Sequence, residues 1–120
     1  MTKYDLYLNI VCAVGLKEDM MGSLDPFVEF KTSPTETYTT RVYPHSTVPF
    51  WDQEFNVQAE AGQEITFYIK NDRSIQKTES GFAKFTVPTT LEEGAFERFQ
   101  LPITEKGTLI VTLLCNGVSD

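Results

Sequence analysis

Apolar and polar residues alternate with a period of two along several short stretches of the chain. The first such stretch places five side chains on one face, at every second position: Tyr4, Leu6, Leu8, Ile10 and Cys12. The intervening positions are mostly polar. A period of two is typical of a half-buried β-strand, so the pattern predicts a first strand over residues 4–12.

Seven further stretches carry the same alternation or a high content of β-branched and aromatic residues. They predict strands over residues 27–32, 37–43, 52–58, 65–70, 83–87, 96–101 and 109–115. Turn-forming residues separate them, and a polar loop is predicted over residues 71–80. Residues 89–94 have a Thr cap, a Glu three positions on and a final Gly, which predicts one helical turn. Eight short strands with so little helix predict an all-β, eight-stranded antiparallel β-sandwich.

The overall composition narrows the function classes. A length of 120 residues fits a single domain. The net charge of −7 argues against nucleic-acid binding, which depends on Lys and Arg neutralising phosphates. No apolar run has the length of a membrane span and the N-terminus lacks the layout of a secretory signal. We therefore expect a soluble, cytoplasmic protein in which Cys12 and Cys115 are reduced residues of the inward face.

Residues with catalytic chemistry are few. The single histidine, His45, follows Pro44 in a connecting segment, and no acid or nucleophile beside it indicates a triad. The sequence also lacks a glycine-rich phosphate loop and the spacing of a Cys/His zinc site. We therefore expect no enzymatic activity, and we interpret Trp51, two residues after Pro49, as a core residue.

Two acidic residues stand where a loop becomes the second strand. Asp25 precedes Pro26, which pushes its backbone toward an extended conformation. Asp19 lies upstream of Gly22 and Ser23, which allow the loop to fold back. The two carboxylates are therefore expected to converge at the end of the sheet, an arrangement that suits a hard cation such as calcium. The simpler alternative is that Asp25 is only a turn residue.

The order of several motifs resembles the C2 domain, a calcium- and phospholipid-binding β-sandwich. The matching segments are 6–13 in the opening strand, 22–30 around Asp25, 47–55 with Pro49, Trp51 and Phe55, and Asp72-Arg73 with Gly81. Together they cover essentially the whole chain. The resemblance implies the C2 fold, and the position of the opening strand implies its second, circularly permuted (type II) topology.

The resemblance also implies a site with missing ligands. By position, Asp19 and Asp25 match the acidic pair of the family's first loop, and Asp72 matches the middle aspartate of its third loop. Lys70 stands where the first third-loop aspartate is usual and Thr78 where the last is usual, with Glu79 one position later. Because unit charges about 4 Å apart interact by about 4 kcal/mol at an effective dielectric of about 20, an ammonium here opposes calcium. Either Lys70 replaces the cation, or it extends outward and leaves a weak calcium site.

The residues predicted at the loop tips favour membrane binding. Apolar side chains are expected at the tips of the first and third loops, together with basic ones: Met20, Met21, Leu24, Ile75, Arg73 and Lys77. Such residues favour reversible, peripheral docking on an anionic phospholipid membrane. The methionines can alternatively fold under their own loop. Residues 37–43 contain one basic residue, so no second lipid site is expected there. The rival interpretation is a calcium-independent module that binds a protein partner.

Overall fold

The computed structural model describes residues 1–17, 24–73 and 76–120, and it describes their side chains except at residues 73 and 76–80. These residues form eight strands and, in the described ranges, no helix. The strands are β1 (Lys3–Val14), β2 (Pro26–Ser33), β3 (Glu36–Thr39), β4 (Phe50–Glu60), β5 (Glu64–Arg73), β6 (Gln76–Thr86), β7 (Phe96–Pro102) and β8 (Thr108–Ser119). All paired strands are antiparallel. The predicted eight-stranded antiparallel sandwich is confirmed.

The strands are divided between two four-stranded sheets. One sheet has the order β4-β1-β8-β7, which we call sheet A, and the other has the order β3-β2-β5-β6, which we call sheet B. The first and last strands of the chain are therefore neighbours in the middle of sheet A. The assignment to the permuted topology stays a prediction.

The core lies between the inward faces of the two sheets, as the period of two requires. Leu8 of β1 lies opposite Phe55 of β4 and Leu113 of β8, so the same inward row crosses sheet A. On sheet B, the Phe30 ring lies 5.0 Å from the Phe67 ring. Packing of this kind removes large apolar surfaces from water and dominates the stability of a sandwich.

A β-bulge in β1 overturns the prediction that Cys12 faces the core. The register of β1 shifts between Ile10 and Cys12 against both of its neighbours. Ile10 and Ala13 are both fully buried, whereas Cys12 is half-buried. The extra residue reverses the alternation, so Cys12 lies on the outer face. Burial raises the pKa of its thiol, and the charge of Arg98 partly offsets that rise. Both cysteines are free.

Two of the predicted connections take different forms. The polar loop expected over residues 71–80 is mostly a hairpin, because β5 continues to Arg73 and β6 begins at Gln76. The helical turn expected over residues 89–94 is absent. Leu91 is buried there and its N–H donates to the Tyr4 hydroxyl (3.2 Å), so the backbone is bound to β1 instead of to its own turn. The third strand is also shorter than predicted and ends at Thr39.

In the part of the chain that the structure describes, no helix is long and apolar enough to cross a bilayer.

Candidate functional site

Asp25 is held at one end of the sandwich by hydrogen bonds from three directions. Its backbone N–H donates to the Asn71 side-chain Oδ1 (2.8 Å), and its carbonyl accepts from the Asp72 N–H (2.9 Å). Its carboxylate Oδ1 accepts from the His45 backbone N–H (2.9 Å). The side chain is 24% exposed. Asp25 is therefore fixed in place and still accessible to a solvent-borne ligand.

The strand register explains why Asp25 and Asp72 lie together. Pro26 of β2 pairs with Asn71 of β5, so the residues just outside this pair are Asp25 and Asp72. The backbone geometry thus places Asp25 beside Asp72, which the resemblance had assigned to the same site. The predicted convergence of Asp25 with Asp19 stays a prediction, because Asp19 lies outside the described residues. The contacts of the Asp25 carboxylate within the described part of the chain are made through Oδ1. The second oxygen, Oδ2, could therefore serve as a cation ligand.

His45 contributes to this site through its backbone. It has a positive φ of 56°, a conformation that is uncommon for a non-glycine residue. That conformation directs its N–H toward the Asp25 carboxylate. The imidazole Nδ1 lies 3.8 Å from Asp25 Oδ1, and the His45 side chain is 79% exposed. His45 lies in a connecting segment, as predicted, but its bond to Asp25 was not foreseen from the sequence.

Asn71 is the second partner that sequence reasoning missed. It is 1% exposed and belongs to the inward face of β5, after Ile65, Phe67 and Ile69. A signal was present, because extending the period of two by one step places this amide among buried positions. A buried amide needs hydrogen-bonding partners, and here it orients the backbone of Asp25.

Lys70 is engaged by a residue outside the acidic pair. Its Nζ lies 2.7 Å from Glu29 Oε1, on the outer face of sheet B, and the two side chains are 29% and 31% exposed. The sequence interpretation placed Lys70 either in the position of the cation or extended outward, and it did not identify Glu29 as a partner. Because Glu29 belongs to the same face of β2, a Lys–Glu pair across the β2–β5 ladder is the expected cross-strand interaction.

Several predicted site residues lie outside the described part of the chain. These are Asp19, Met20, Met21 and Ile75, and the side chains of Arg73, Lys77, Thr78 and Glu79. Among the side chains that the structure describes, no group of three from His, Cys, Asp or Glu could hold a metal ion. Calcium takes six to eight oxygens. Asp25 and Asp72 alone would supply only part of that shell, so a calcium site here would also need the predicted ligands Asp19, Thr78 or Glu79.

Leu24 does not have the exposed position that was predicted. It is 1% exposed and packs into the core cluster. Its carbonyl accepts the Ser46 N–H (2.9 Å), which ties the end of the first loop to the segment before β4. The apolar side chain gains more from the core than from the loop tip, so Leu24 is not a membrane-contact residue. Trp51, by contrast, is fully buried as predicted.

Comparison with known proteins agrees with this architecture. Residues 4–103 match the profile of the C2 domain family. The chain is 30% identical over 115 residues to the E3 ubiquitin-protein ligase pub3 of Schizosaccharomyces pombe, covering 91% of this chain and 15% of that protein. It is 31% identical over 113 residues to Synaptotagmin-4 of Arabidopsis thaliana, covering 90% of this chain and 20% of that protein.

A solved C2 domain of plant Extended Synaptotagmin 1 has the same fold. It superposes with a TM-score of 0.85 at 23% identity, covering 98% of this chain and 97% of that one. The chain thus corresponds to a small part of the two curated relatives and to a whole C2 domain of the solved structure. The family profile, the relatives and the two-sheet architecture agree that this chain belongs to the C2 domain family.

Proposed function

We propose that residues 1–120 act as one membrane-docking C2 domain that binds anionic phospholipid peripherally, through its first and third loops, with weak or lost calcium dependence. The observation that carries the proposal is the fixed position of Asp25 beside Asp72 at one end of the sandwich. That end is where the resemblance places the loops that approach a membrane. Membership of the C2 family supports membrane docking, since such domains commonly bind phospholipid. The proposed location is cytoplasmic, with reversible attachment to a membrane.

The weak calcium dependence follows from the charges at that end. Two carboxylates, those of Asp25 and Asp72, lie at neighbouring strand ends, and Lys70 brings a positive charge into the same strand two residues from Asp72. Lys70 is at most one-third exposed, and its ion pair with Glu29 leaves it in the same strand as Asp72, where it contributes no ligand oxygen. An ion therefore meets fewer ligands and more repulsion than in a site with five aspartates.

Sedimentation with phosphatidylserine vesicles tests this function. We expect the protein to pellet with vesicles in the presence of a chelator and to pellet a few-fold more strongly when calcium is added. Because the chain carries a net charge of −7, vesicles of neutral phosphatidylcholine serve as the control for electrostatics. Pelleting only with calcium would show that a metal bridge is required. Pelleting under neither condition would contradict membrane docking.

Replacing Lys70 with aspartate tests the role of its charge. Lys70→Asp is expected to raise calcium affinity at least about tenfold, equivalent to about 1.4 kcal/mol, because a repelling ammonium becomes a potential ligand. Isothermal titration with calcium measures the change. Lys84→Asp is the matched control, since Lys84 also lies near a glutamate, Glu64 (3.8 Å), but on β6 away from Asp72. Equal affinities for the two variants would remove Lys70 from the site.

A second candidate function is binding of a protein partner. The observation that favours it is an apolar row across the outer face of sheet A, in which Phe96 lies opposite Leu114 and Leu114 lies opposite Tyr7. Phe96 is 64% exposed, and the neighbouring Glu92 and Glu93 are also exposed. These charges fit a partner surface that offers a basic rim around an apolar anchor. Failure to pellet with vesicles under every condition would favour this function.

A further inference from the structure

Strand β4 forms one edge of sheet A and pairs with β1 alone among the described strands. Its register against β1 is continuous up to Glu60, and just beyond it the Ala61 N–H donates to the Thr2 carbonyl (3.0 Å). Because the direction of the backbone groups alternates along an antiparallel strand, the odd-numbered residues of β4 from 53 onward also bond to β1. The even-numbered residues 54, 56 and 58 therefore direct their N–H and C=O groups away from the sheet.

Other hydrogen bonds cover the edge of β4 on both sides of this stretch. Before it, the Arg41 guanidinium donates to the Trp51 carbonyl. After it, the Glu60 N–H donates to Gln63 Oε1 (2.9 Å), and the Glu60 carbonyl accepts the Gln63 N–H (3.1 Å). We call residues 54–58, which lie between these bonds, the open edge. An extended chain could pair with the open edge without displacing any of these bonds.

The other three sheet edges each carry a feature that opposes the addition of a strand. Strand β3 has only four residues. On β6, the Phe82 N–H donates to Thr104 Oγ1 (3.0 Å) and the Phe82 carbonyl accepts the Thr104 N–H (2.9 Å), so the edge is covered there. On β7, the exposed Glu97 lies opposite the buried Leu113 and so places a charge in the inward row. Short strands, covering segments and inward charges protect edges, and residues 54–58 contain no inward charge, Pro or Lys.

Two aromatic rings lie below the open edge. The Phe55 ring on the inward face of β4 lies 5.7 Å from the Tyr38 ring of β3, which is the facing edge of sheet B. Both side chains pack against the core but remain half-buried. A strand added beside β4 would direct every second side chain toward this ring pair. Apolar side chains at those positions would remove the remaining ring surface from water.

The charges favour a basic peptide over a second copy of this chain. Glu54 is the one charged residue of the open edge, and β4 has two further acids, Asp52 and Glu60, with no Lys or Arg. Lys3 lies opposite Glu60, beyond the open edge. A basic side chain beside Glu54 would make a favourable cross-strand pair. Two β4 strands paired antiparallel about Asn56 would instead place Asp52 of one copy opposite Glu60 of the other, and like charges in that position repel.

We infer that the open edge binds an extended basic peptide, which adds antiparallel to β4 as a fifth strand of sheet A. The N–H and C=O groups of Glu54, Asn56 and Gln58 select a polypeptide, because its backbone repeats the complementary groups at the spacing of a β-ladder. Alternate side chains of the peptide are apolar, toward Phe55, and basic, beside Glu54. This site is separate from the apolar row around Phe96, and the inference does not depend on membrane docking.

A short fluorescent peptide of alternating lysine and valine tests the inference by fluorescence anisotropy. The net charge of −7 attracts any cationic peptide, so two methylated forms of equal charge are the controls. In antiparallel pairing, residues directly opposite share a face, so the lysines lie opposite the even-numbered residues and their backbone N–H groups bond to β4. Methylation of the lysine backbone nitrogens is expected to weaken binding about tenfold or more. Methylation of the valine nitrogens is expected to change it by less than about twofold. Equal affinities of all three peptides would overturn the inference.

A proline substitution locates the site on the protein. Asn56→Pro removes a donor at the centre of the open edge, and the ladder to β1 does not use that N–H. The affinity for the unmethylated peptide is expected to fall about tenfold or more. Gln100→Pro is the matched control on β7, where the Cys115 N–H bond to the Ala95 carbonyl (2.8 Å) implies that the Gln100 N–H also faces away from its sheet. Equal losses in the two variants, or no loss in either, would overturn the site.

Hydrogen exchange in the wild type gives a result that no folding defect can produce. Saturation with the peptide is expected to slow exchange of the Glu54, Asn56 and Gln58 amides about tenfold or more, while the Arg98 amide on the edge of β7 is unchanged. Unchanged exchange at residues 54, 56 and 58 with the peptide bound would place it elsewhere and overturn the inference. Absence of peptide binding would overturn it too, and would leave membrane docking standing. A wild-type dimer in sedimentation velocity that Asn56→Pro converts to monomer would identify a second copy as the occupant, against the inference.

Discussion

Replacing Trp51 with alanine is expected to lower the free energy of unfolding by about 3 to 5 kcal/mol, the usual cost of removing a large aromatic side chain from a core. Trp51 is fully buried, and its indole Nε1–H donates to the Pro26 carbonyl (3.1 Å). Pro26 follows Asp25 and begins β2. The loss of Trp51 therefore removes core packing and also frees the strand end that positions the acidic pair.

Urea unfolding followed by circular dichroism measures this effect without relying on the lost tryptophan emission. Trp51→Phe keeps most of the volume but not the donor, and it is expected to cost about 1 to 2 kcal/mol. The Pro26 carbonyl also accepts the Tyr43 N–H (3.0 Å). It therefore keeps one hydrogen bond in Trp51→Phe, which limits the loss of stability. Phe50→Ala is the control at the neighbouring exposed position. A change below about 1 kcal/mol in Trp51→Ala would contradict the role of Trp51 as the core anchor of this end.

Strands could be predicted from the sequence wherever apolar and polar residues alternate without interruption. Strands β1 and β5 are recognisable because apolar residues recur at every second position over most of their length. The pattern failed for Cys12, since a bulge depends on the pairing of β1 with two neighbours and leaves no local mark in the sequence. It also failed for residues 71–80, whose polar composition indicated a loop. Edge and hairpin strands exposed to solvent tolerate polar residues, so composition alone does not exclude a strand.

The helical turn over residues 89–94 shows how tertiary contacts override local signals. Its capping residues were present, but Leu91 is buried and bonded to Tyr4, and the Gly94 N–H donates to the Cys115 carbonyl (2.7 Å). Bonds to β1 and β8 replace those of an isolated turn. A capping pattern contributes about 1 kcal/mol, which is less than the burial of a leucine contributes.

The two carboxylates of the candidate site were identified from the sequence, but the residues that hold them in place were not. The proline after Asp25 indicated the start of β2, and the resemblance named Asp72 by position, whereas the β2–β5 register that brings the two together comes from the structure. The bond from His45 requires a left-handed residue in a connecting segment. Histidine is enriched in that conformation but adopts it in only a small fraction of cases. The Lys70–Glu29 pair depends on the exact β2–β5 register, which one sequence does not reveal.

Asn71 links the stability of the fold to the geometry of the site. Asn71→Leu retains a side chain of similar volume but removes the oxygen that accepts the Asp25 N–H (2.8 Å). The position is 1% exposed, so water cannot easily replace the lost acceptor. An unpaired buried donor costs about 1 to 3 kcal/mol, and we expect the free energy of unfolding to fall by that amount.

Asn56→Leu provides the matched control, because Asn56 is exposed on β4 and the same substitution there is expected to change stability by no more than about 0.5 kcal/mol. Chemical denaturation of both variants gives the comparison.

Asn71→Leu is further expected to weaken whatever calcium binding the wild type shows, since Asp25 loses one of the three bonds that fix it. Equal unfolding free energies for the two variants would mean that the Asn71 amide does not hold Asp25. The acidic pair would then be aligned by the β2–β5 pairing and by the bonds that Asp25 receives from the Asp72 and His45 backbones.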